Sequence, residues 1–422
     1  MIEVPLWLVV LTVLTVVALV IIVWSLKRRR RPHLRMIHFD DTDALMQSLA
    51  GATLSSATKG NRVELIQNGR FFDRLFADIE NARSSVSFET FLSKDGEVTK
   101  RLAELLARKS GEGVEVRVTL DGSGGREFPK QGLQRMHDGG CQVVRYNPLH
   151  IRNLGLINNR THRKIAVIDG RIGYVGGHCL VDSWLGDAED REHFRDITAR
   201  VEGPVVAELQ STFINNWIKT CGEVPAGPKV FPDPVVAGDV EAHIVYASPA
   251  GSPSMMKVLH YAAIHTARHR LWIQNPYFLP DPDARDALVE AVKRGVDLRI
   301  MIPSADATDS PIVQHASHHH YGTLLKGGVR IFEYRKTLLH QKVLVVDSKW
   351  ASIGSSNFDD RSFEINDEVS LVVYDDAIAA ELERTFEADL EHCIEPKLEQ
   401  WQRRPALHKL RDGFSFLFNE QL

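Results

Sequence analysis

The stretches THRKIAVIDG, residues 161–170, and LHQKVLVVDS, residues 339–348, share one pattern, His-x-Lys-x4-Asp: His162, Lys164 and Asp169 in the first, His340, Lys342 and Asp347 in the second. Each motif opens an apolar, β-branched run, IAVI or VLVV, closed by Asp-Gly or Asp-Ser. That is the pattern of a buried strand ending in a turn. Residues two apart on a strand share a face, so each histidine points the same way as its lysine. Asp169 and Asp347 have the opposite parity and fall at the strand-to-turn corner, a position for bracing the strand end. An imidazole beside an ammonium is a pair for an anionic substrate. Its occurrence once per half-chain predicts one active site built from two similar halves.

The correspondence extends well beyond the motifs. In the first half SSVSFETFLSKDG leads to TKRLAELLARKSGEG and VEVRVTLDG; in the second HRLWIQNPYFLPD leads to ARDALVEAVKRG and VDLRIMIPS. Strand, helix, strand, motif strand, Gly-rich turn (GYVGGHC, ASIGSSN) and closing helix (PVVAELQSTF, AIAAELERTF) follow in the same order. Such alternation predicts an α/β fold of two similar halves, each a parallel-type sheet covered by helices. The prolines and glycines of GEVPAGPKVFPDPVVAGD cannot continue a helix or a central strand. They mark a linker over residues 222–240, between a first half at 61–221 and a second at 241–400.

Ahead of both halves, residues 4–26 contain PLWLVVLTVLTVVALVIIVWSL without a charge, and Trp7 and Trp24 stand near its ends. The length matches the ~20 residues of a bilayer span. Lys27 and Arg28 to Arg31 follow it, which predicts a single-pass signal-anchor in the cell (inner) membrane with the catalytic body cytoplasmic, and argues against a cleaved signal peptide. Residues 27–60 form the basic juxtamembrane segment and linker; its cluster favours anionic headgroups. Residues 1–35 carry net +5, so −9 of the overall −4 falls on the remainder. A body of that sign speaks against nucleic acid as a partner. Cys141, Cys179, Cys221 and Cys393 have no metal-ligand spacing and read as reduced thiols.

With GSSNFDDRSFEINDE (354–368), NPYFLPD (275–281) and FRDITARVEGPVV from Phe194 added to the paired motifs, the chain from about residue 60 onward resembles the phospholipase D superfamily, and within it the bacterial cardiolipin synthases. The resemblance implies two halves packed about a pseudo-twofold axis, with both motifs meeting at the interface and both histidines facing one phosphorus. It implies that one histidine attacks a phosphodiester and the other first protonates the departing alcohol, then deprotonates the acceptor. The favoured order makes His162 the nucleophile and His340 the acid. Asp196 and Glu368 match the acidic residues that orient the histidines in the family. The substrates implied are phosphatidylglycerol and related phospholipids: two phosphatidylglycerol molecules become cardiolipin plus glycerol. A hydrolytic phospholipase D releasing phosphatidic acid, and a membrane-tethered nuclease, are the alternatives.

The chemistry stands on its own as well. A phosphodiester repels anionic nucleophiles and has a poor leaving group, so a neutral imidazole and a positioned acid divide one hard displacement into two. Lys164 and Lys342, aided by Asn357 and Ser355, would stabilise charge on the nonbridging oxygens. No cofactor and no metal is required. The halves differ at one turn: Gly354-Ser355-Ser356-Asn357 is matched by Gly176-Gly177-His178-Cys179, so one amide donor to the phosphate is missing from the first half or supplied elsewhere.

Three further segments read two ways. His315, His318, His319 and His320 belong to a helix that is solvated or contacts headgroups, or that binds a metal incidentally, with no acidic or cysteine partner at metal-site spacing nearby. Residues 149–160 form a headgroup pocket or a self-satisfied polar loop. The tail at 401–422 mixes Trp401, Phe414, Phe416 and Phe418 with Arg403, Arg404, Lys409 and Arg411, for packing on the body or for a membrane surface.

Overall fold

The computed structural model describes residues 5–26, 34, 36, 42–150, 158–248 and 254–416; for residues 20–26 and 42–45 it describes the backbone alone. Met1–Arg35 form one unit and Met36–Leu422 another.

In the first unit a helix runs from Leu6 to Leu26. Its two threonines are satisfied within it, Thr12 and Thr15 each donating to the carbonyl four residues back at 2.8 Å. Among the described residues, no helix is long and apolar enough to cross a membrane. The residues expected to span the bilayer are thus helical, but their described part does not by itself make a span.

The second unit repeats one arrangement of strands. The first half contributes β1 (Thr58–Gln67), β2 (Ser85–Thr90), β3 (Glu115–Asp121), β4 (Gln142–Tyr146), β5 (Ile165–Ile168), β6 (Ile172–Gly176) and β7 (Ile197–Glu202). The second contributes β8 (Val240–Ala247), β9 (Arg270–Gln274), β10 (Asp297–Pro303), β11 (Arg330–Tyr334), β12 (Val343–Val346), β13 (Trp350–Gly354), β14 (Glu368–Tyr374) and the short β15 (Cys393–Ile394). The spatial order is β15-β11-β10-β9-β12-β13-β14-β8-β1-β7-β6-β5-β2-β3-β4. Apart from β15, it reads the same from the central β1–β8 pair outward in either direction. β2, β3 and β4 are parallel, as are β9, β10 and β11, whereas the motif strands β5 and β12 run antiparallel to β2 and β9.

The motif strands are apolar on both faces because both are buried. Ile165 and Val167 of β5 share one core with Val343 and Val345 of β12, with Val201 and Leu371, and with Phe213, Trp217 and Leu382 of the closing helices Val206–Cys221 and Asp376–Leu390. Ala166 and Ile168 face a second core with Phe72, Leu102 and Val118. The first of these cores draws on both halves.

Asp169 and Asp347 sit at the turn after β5 and β12 in the left-handed region, with φ of 54° and 52°. Asp169 accepts from the backbone N–H of Arg83, Ser84 and Ser85 at 2.7–3.1 Å; Asp347 accepts from Arg268, His269 and Arg270 at 2.7–2.8 Å. Although they complete the motif, these two are not brought to the imidazoles. They tie down the first residues of β2 and β9, as their parity indicates. Asp169→Ala is expected to lower stability by about 1–3 kcal/mol by orphaning those donors, with turnover per folded molecule retained. Thermal unfolding paired with an assay well below the transition checks this; lost turnover in fully folded Asp169→Asn protein would return the residue to the chemistry.

Candidate active site

β5 and β12 start one residue after the motif lysines, so His162–Lys164 and His340–Lys342 lie in extended lead-ins and not on the strands themselves. These lead-ins are where the halves exchange main-chain contacts. His162 N donates to Asp367 O at 2.9 Å, and Asp367 N to Arg160 O at 2.9 Å. In the mirror position His340 N donates to Arg195 O at 2.8 Å, and Arg195 N to Leu338 O at 2.9 Å. The residue between each histidine and lysine faces away: Arg163, fully buried, donates to Thr212 O and Ala247 O, and Gln341 donates to Asp389.

This pairing places each histidine against the next residue of the other half. His162 Nδ1 lies 2.9 and 3.1 Å from the Glu368 carboxylate oxygens, and His340 Nδ1 lies 2.8 Å from Asp196 Oδ2. A carboxylate at Nδ1 takes the N–H there and leaves the lone pair on Nε2. Both carboxylates are fully buried. Glu368 is held by the Ser355 hydroxyl, whereas Asp196 is held by Trp184 Nε1 at 2.7 Å and by the backbone N–H of Ile197 at 2.8 Å.

Ser355 therefore departs from the expected role. Its hydroxyl serves Glu368, and its action on a phosphate would pass through that carboxylate. The first half cannot copy it, because a Cβ at Gly177 would run into the Asp196 carboxylate. The Trp184 indole takes over as donor. It was not legible as a site residue; the one signal was the glycine standing where the other half has a serine. Trp184 also sets its ring edge-on to His340, centroids 5.0 Å apart and planes at 87°, as Phe91 does to His162 at 5.1 Å and 70°.

The lysines are buried beside the rings. Lys164 Nζ donates to His162 O at 2.7 Å; Lys342 Nζ donates to His340 O at 2.5 Å and lies 2.9 Å from His340 Nε2. Burial lowers His162 to about 4, against the pull of Glu368 and helped by Lys164 and Lys342. Burial, with Lys342 and Lys164, lowers His340 to about 3. Burial takes Lys342 down to about 7, and lowers Lys164 as well. Each motif thus feels the other's lysine, so the two share one electrostatic site. Burial opposes ionisation of Asp196 and Glu368, but the facing histidines and lysines outweigh it and hold both below the usual carboxylate range. At neutral pH the site holds neutral imidazoles over ionised carboxylates, the state a nucleophilic imidazole needs.

Asn357 is buried, and its Oδ1 has no hydrogen-bond partner among the described residues. Its counterpart Cys179 is equally buried; burial raises its thiol, with Lys164 the main opposing charge. All four cysteines are free.

The remaining segments resolve unevenly. The histidine helix is not a solvated one: of its four histidines, His318 and His320 are buried and His315 is partly so. Trp401 stacks on Tyr321 and Phe416 on His319, which is packing on the body, while Phe414, Leu407 and Leu410 stay exposed. Phe418 and residues 151–157 lie outside the described residues. Asn158 Oδ1 accepts from Arg361 at 3.1 Å, an internal use of that polar loop.

The family model described as "Cardiolipin synthase, PLD-like domain" matches residues 75–217 and 261–390, one segment per half. The chain belongs to the cardiolipin synthase family of the phospholipase D superfamily. It is 38% identical over 352 residues to cardiolipin synthase A of Pseudomonas putida, covering 83% of this chain and 73% of that protein. It is 34% identical over 366 residues to cardiolipin synthase of Oceanobacillus iheyensis, covering 86% and 76%. Among solved structures, phosphatidylserine synthase of Haemophilus influenzae superposes with a TM-score of 0.69 at 15% identity, over 85% of this chain and 95% of that one, a likeness of fold. As a member of the cardiolipin synthase family, the protein is a phospholipase D-type phosphatidyltransferase.

Proposed function

We propose that this member joins two phosphatidylglycerol molecules into cardiolipin and glycerol. The observation that carries the reading is the exchanged pairing His162–Glu368 and His340–Asp196. His162 Nε2 attacks the phosphorus of the first lipid; the bond to its headgroup glycerol breaks, and His340 delivers a proton to the departing oxygen. Burial and the lysine charges keep His340 neutral in the free protein. An anionic phosphate beside Lys164 and Lys342 offsets that field and raises the imidazole's affinity for the proton. A glycerol hydroxyl of the second lipid then gives its proton to His340 and displaces His162 from phosphorus. Both lysines hold the nonbridging oxygens throughout, with Asn357 beside them.

In this reading the uncharged segment of residues 4–26, read from the sequence together with the basic run that follows it, anchors the chain in the cell membrane with the catalytic body on the cytoplasmic side. Anchoring keeps the site at the surface where donor and acceptor both reside. The test is product analysis: full-length protein with phosphatidylglycerol labelled in acyl chain and headgroup is expected to release one glycerol for each cardiolipin formed. Phosphatidic acid as the sole labelled lipid would make the protein a hydrolase.

A further inference from the structure

The helices Pro311–Lys326 and Ala406–Phe416 meet at three side chains that the chemistry above does not use. Asp412 is 2% exposed; its Oδ2 accepts from Arg404 Nη1 at 2.9 Å, and its Oδ1 has no hydrogen-bond partner among the described residues. Facing that oxygen are His315 Nδ1 at 3.6 Å and His318 Nδ1 at 3.9 Å. His315 Nδ1 is likewise buried without a hydrogen-bond partner. We propose that His315, His318 and Asp412 bind one divalent transition-metal cation of zinc-like chemistry, which fastens the C-terminal helix to helix Pro311–Lys326.

The spacing is that of ligands. Separations of 3.6 and 3.9 Å are too long for hydrogen bonds. Donors at about 2.0–2.1 Å from a tetrahedral zinc stand about 3.3 Å apart; both histidine–carboxylate separations are within a few tenths of an ångström of that, and the three donors all lie within 4.8 Å of one another. The histidines are three apart on one helix and therefore share a face. His318 Nε2 lies 3.1 Å from Glu333 Oε1; an N–H donated there leaves the Nδ1 lone pair toward Asp412, the outer-shell arrangement by which a carboxylate orients a metal-bound histidine. Without a cation that lone pair faces a buried, unpaired carboxylate oxygen, which is costly. Two imidazoles and one carboxylate suit a first-row transition metal and not the all-oxygen sites of magnesium or calcium. No acidic residue stands at metal-ligand spacing from these histidines in sequence. Asp412 comes from the C-terminal helix, beyond residue 390 where the family match ends.

The test uses full-length protein stripped with a chelator and titrated with Co2+. One equivalent is expected to bind with the visible absorption of a four-coordinate ion and to raise Tm. Glu333→Gln is expected to weaken binding by about 10–100-fold as an outer-shell change, and His315→Ala and Asp412→Asn by more than that. His193→Ala, in the exposed group Glu189, Asp190 and His193, should leave the titration unchanged. His315 is partly exposed, so its alanine variant is a fair test of binding without loss of fold. Binding that survives in folded His315→Ala, or that vanishes with His193→Ala, would overturn the assignment, as would the absence of saturable binding to the wild-type protein.

Discussion

His162→Ala is expected to lose phosphatidyl transfer by about 10^4-fold or more on every phosphodiester offered, while His340→Ala loses about 10^2–10^4-fold and only where the leaving alcohol needs a proton. The two imidazoles have near-equivalent surroundings: a buried carboxylate at Nδ1, an aromatic edge and a lysine on the same strand lead-in. Position alone therefore does not separate nucleophile from acid, but leaving-group chemistry does. A nitrophenyl ester departs as a stabilised anion and needs no proton, so it should restore the first step in His340→Ala. It cannot restore a missing nucleophile. Measuring kcat/KM for phosphatidylglycerol and for a nitrophenyl phosphodiester in both variants decides the assignment. Rescue of His162→Ala and not of His340→Ala would reverse the roles.

The carboxylates should follow their histidines across the halves. Asp196→Asn is expected to behave like a His340 variant, and Glu368→Gln like a His162 variant, each slower by about 10^3–10^4-fold, because an amide at Nδ1 no longer fixes the tautomer or balances a developing imidazolium. The diagnostic is the pattern and not the size of the loss. Asp196→Asn should be rescued by the nitrophenyl ester and Glu368→Gln should not, and Asp196→Asn should add little to His340→Ala since the two act as a unit. If Asp196→Asn instead resembled His162→Ala, the exchange of carboxylates between halves would have no catalytic meaning.

Much of the architecture was legible beforehand. IAVI and VLVV read as strands buried on both faces, and the repeated order of segments on either side of residues 222–239 anticipated the mirror-like strand order about β1 and β8. The parity of Asp169 and Asp347 separated them from the histidines, and the structure shows them gripping backbone N–H groups. The contact of Ser355 with Glu368 is not legible in sequence, because its place in a turn beside Asn357 says nothing about which acceptor its hydroxyl finds. Trp184 was missed for the same reason: its indole meets Asp196 through a turn whose path no periodicity encodes.

Taken alone, the chain's order of residues determined the duplication, the strand character of each motif and which side chains share a face, since these follow from repeats and from the two-residue period of extended backbone. Only the tertiary structure decided which carboxylate serves which histidine, which donor replaces a serine that Gly177 excludes, and that Asp412 completes a pair of histidines on another helix. Those partnerships join residues far apart in sequence, and they are set by how the two halves and the C-terminal helix pack, a register that local patterns do not carry.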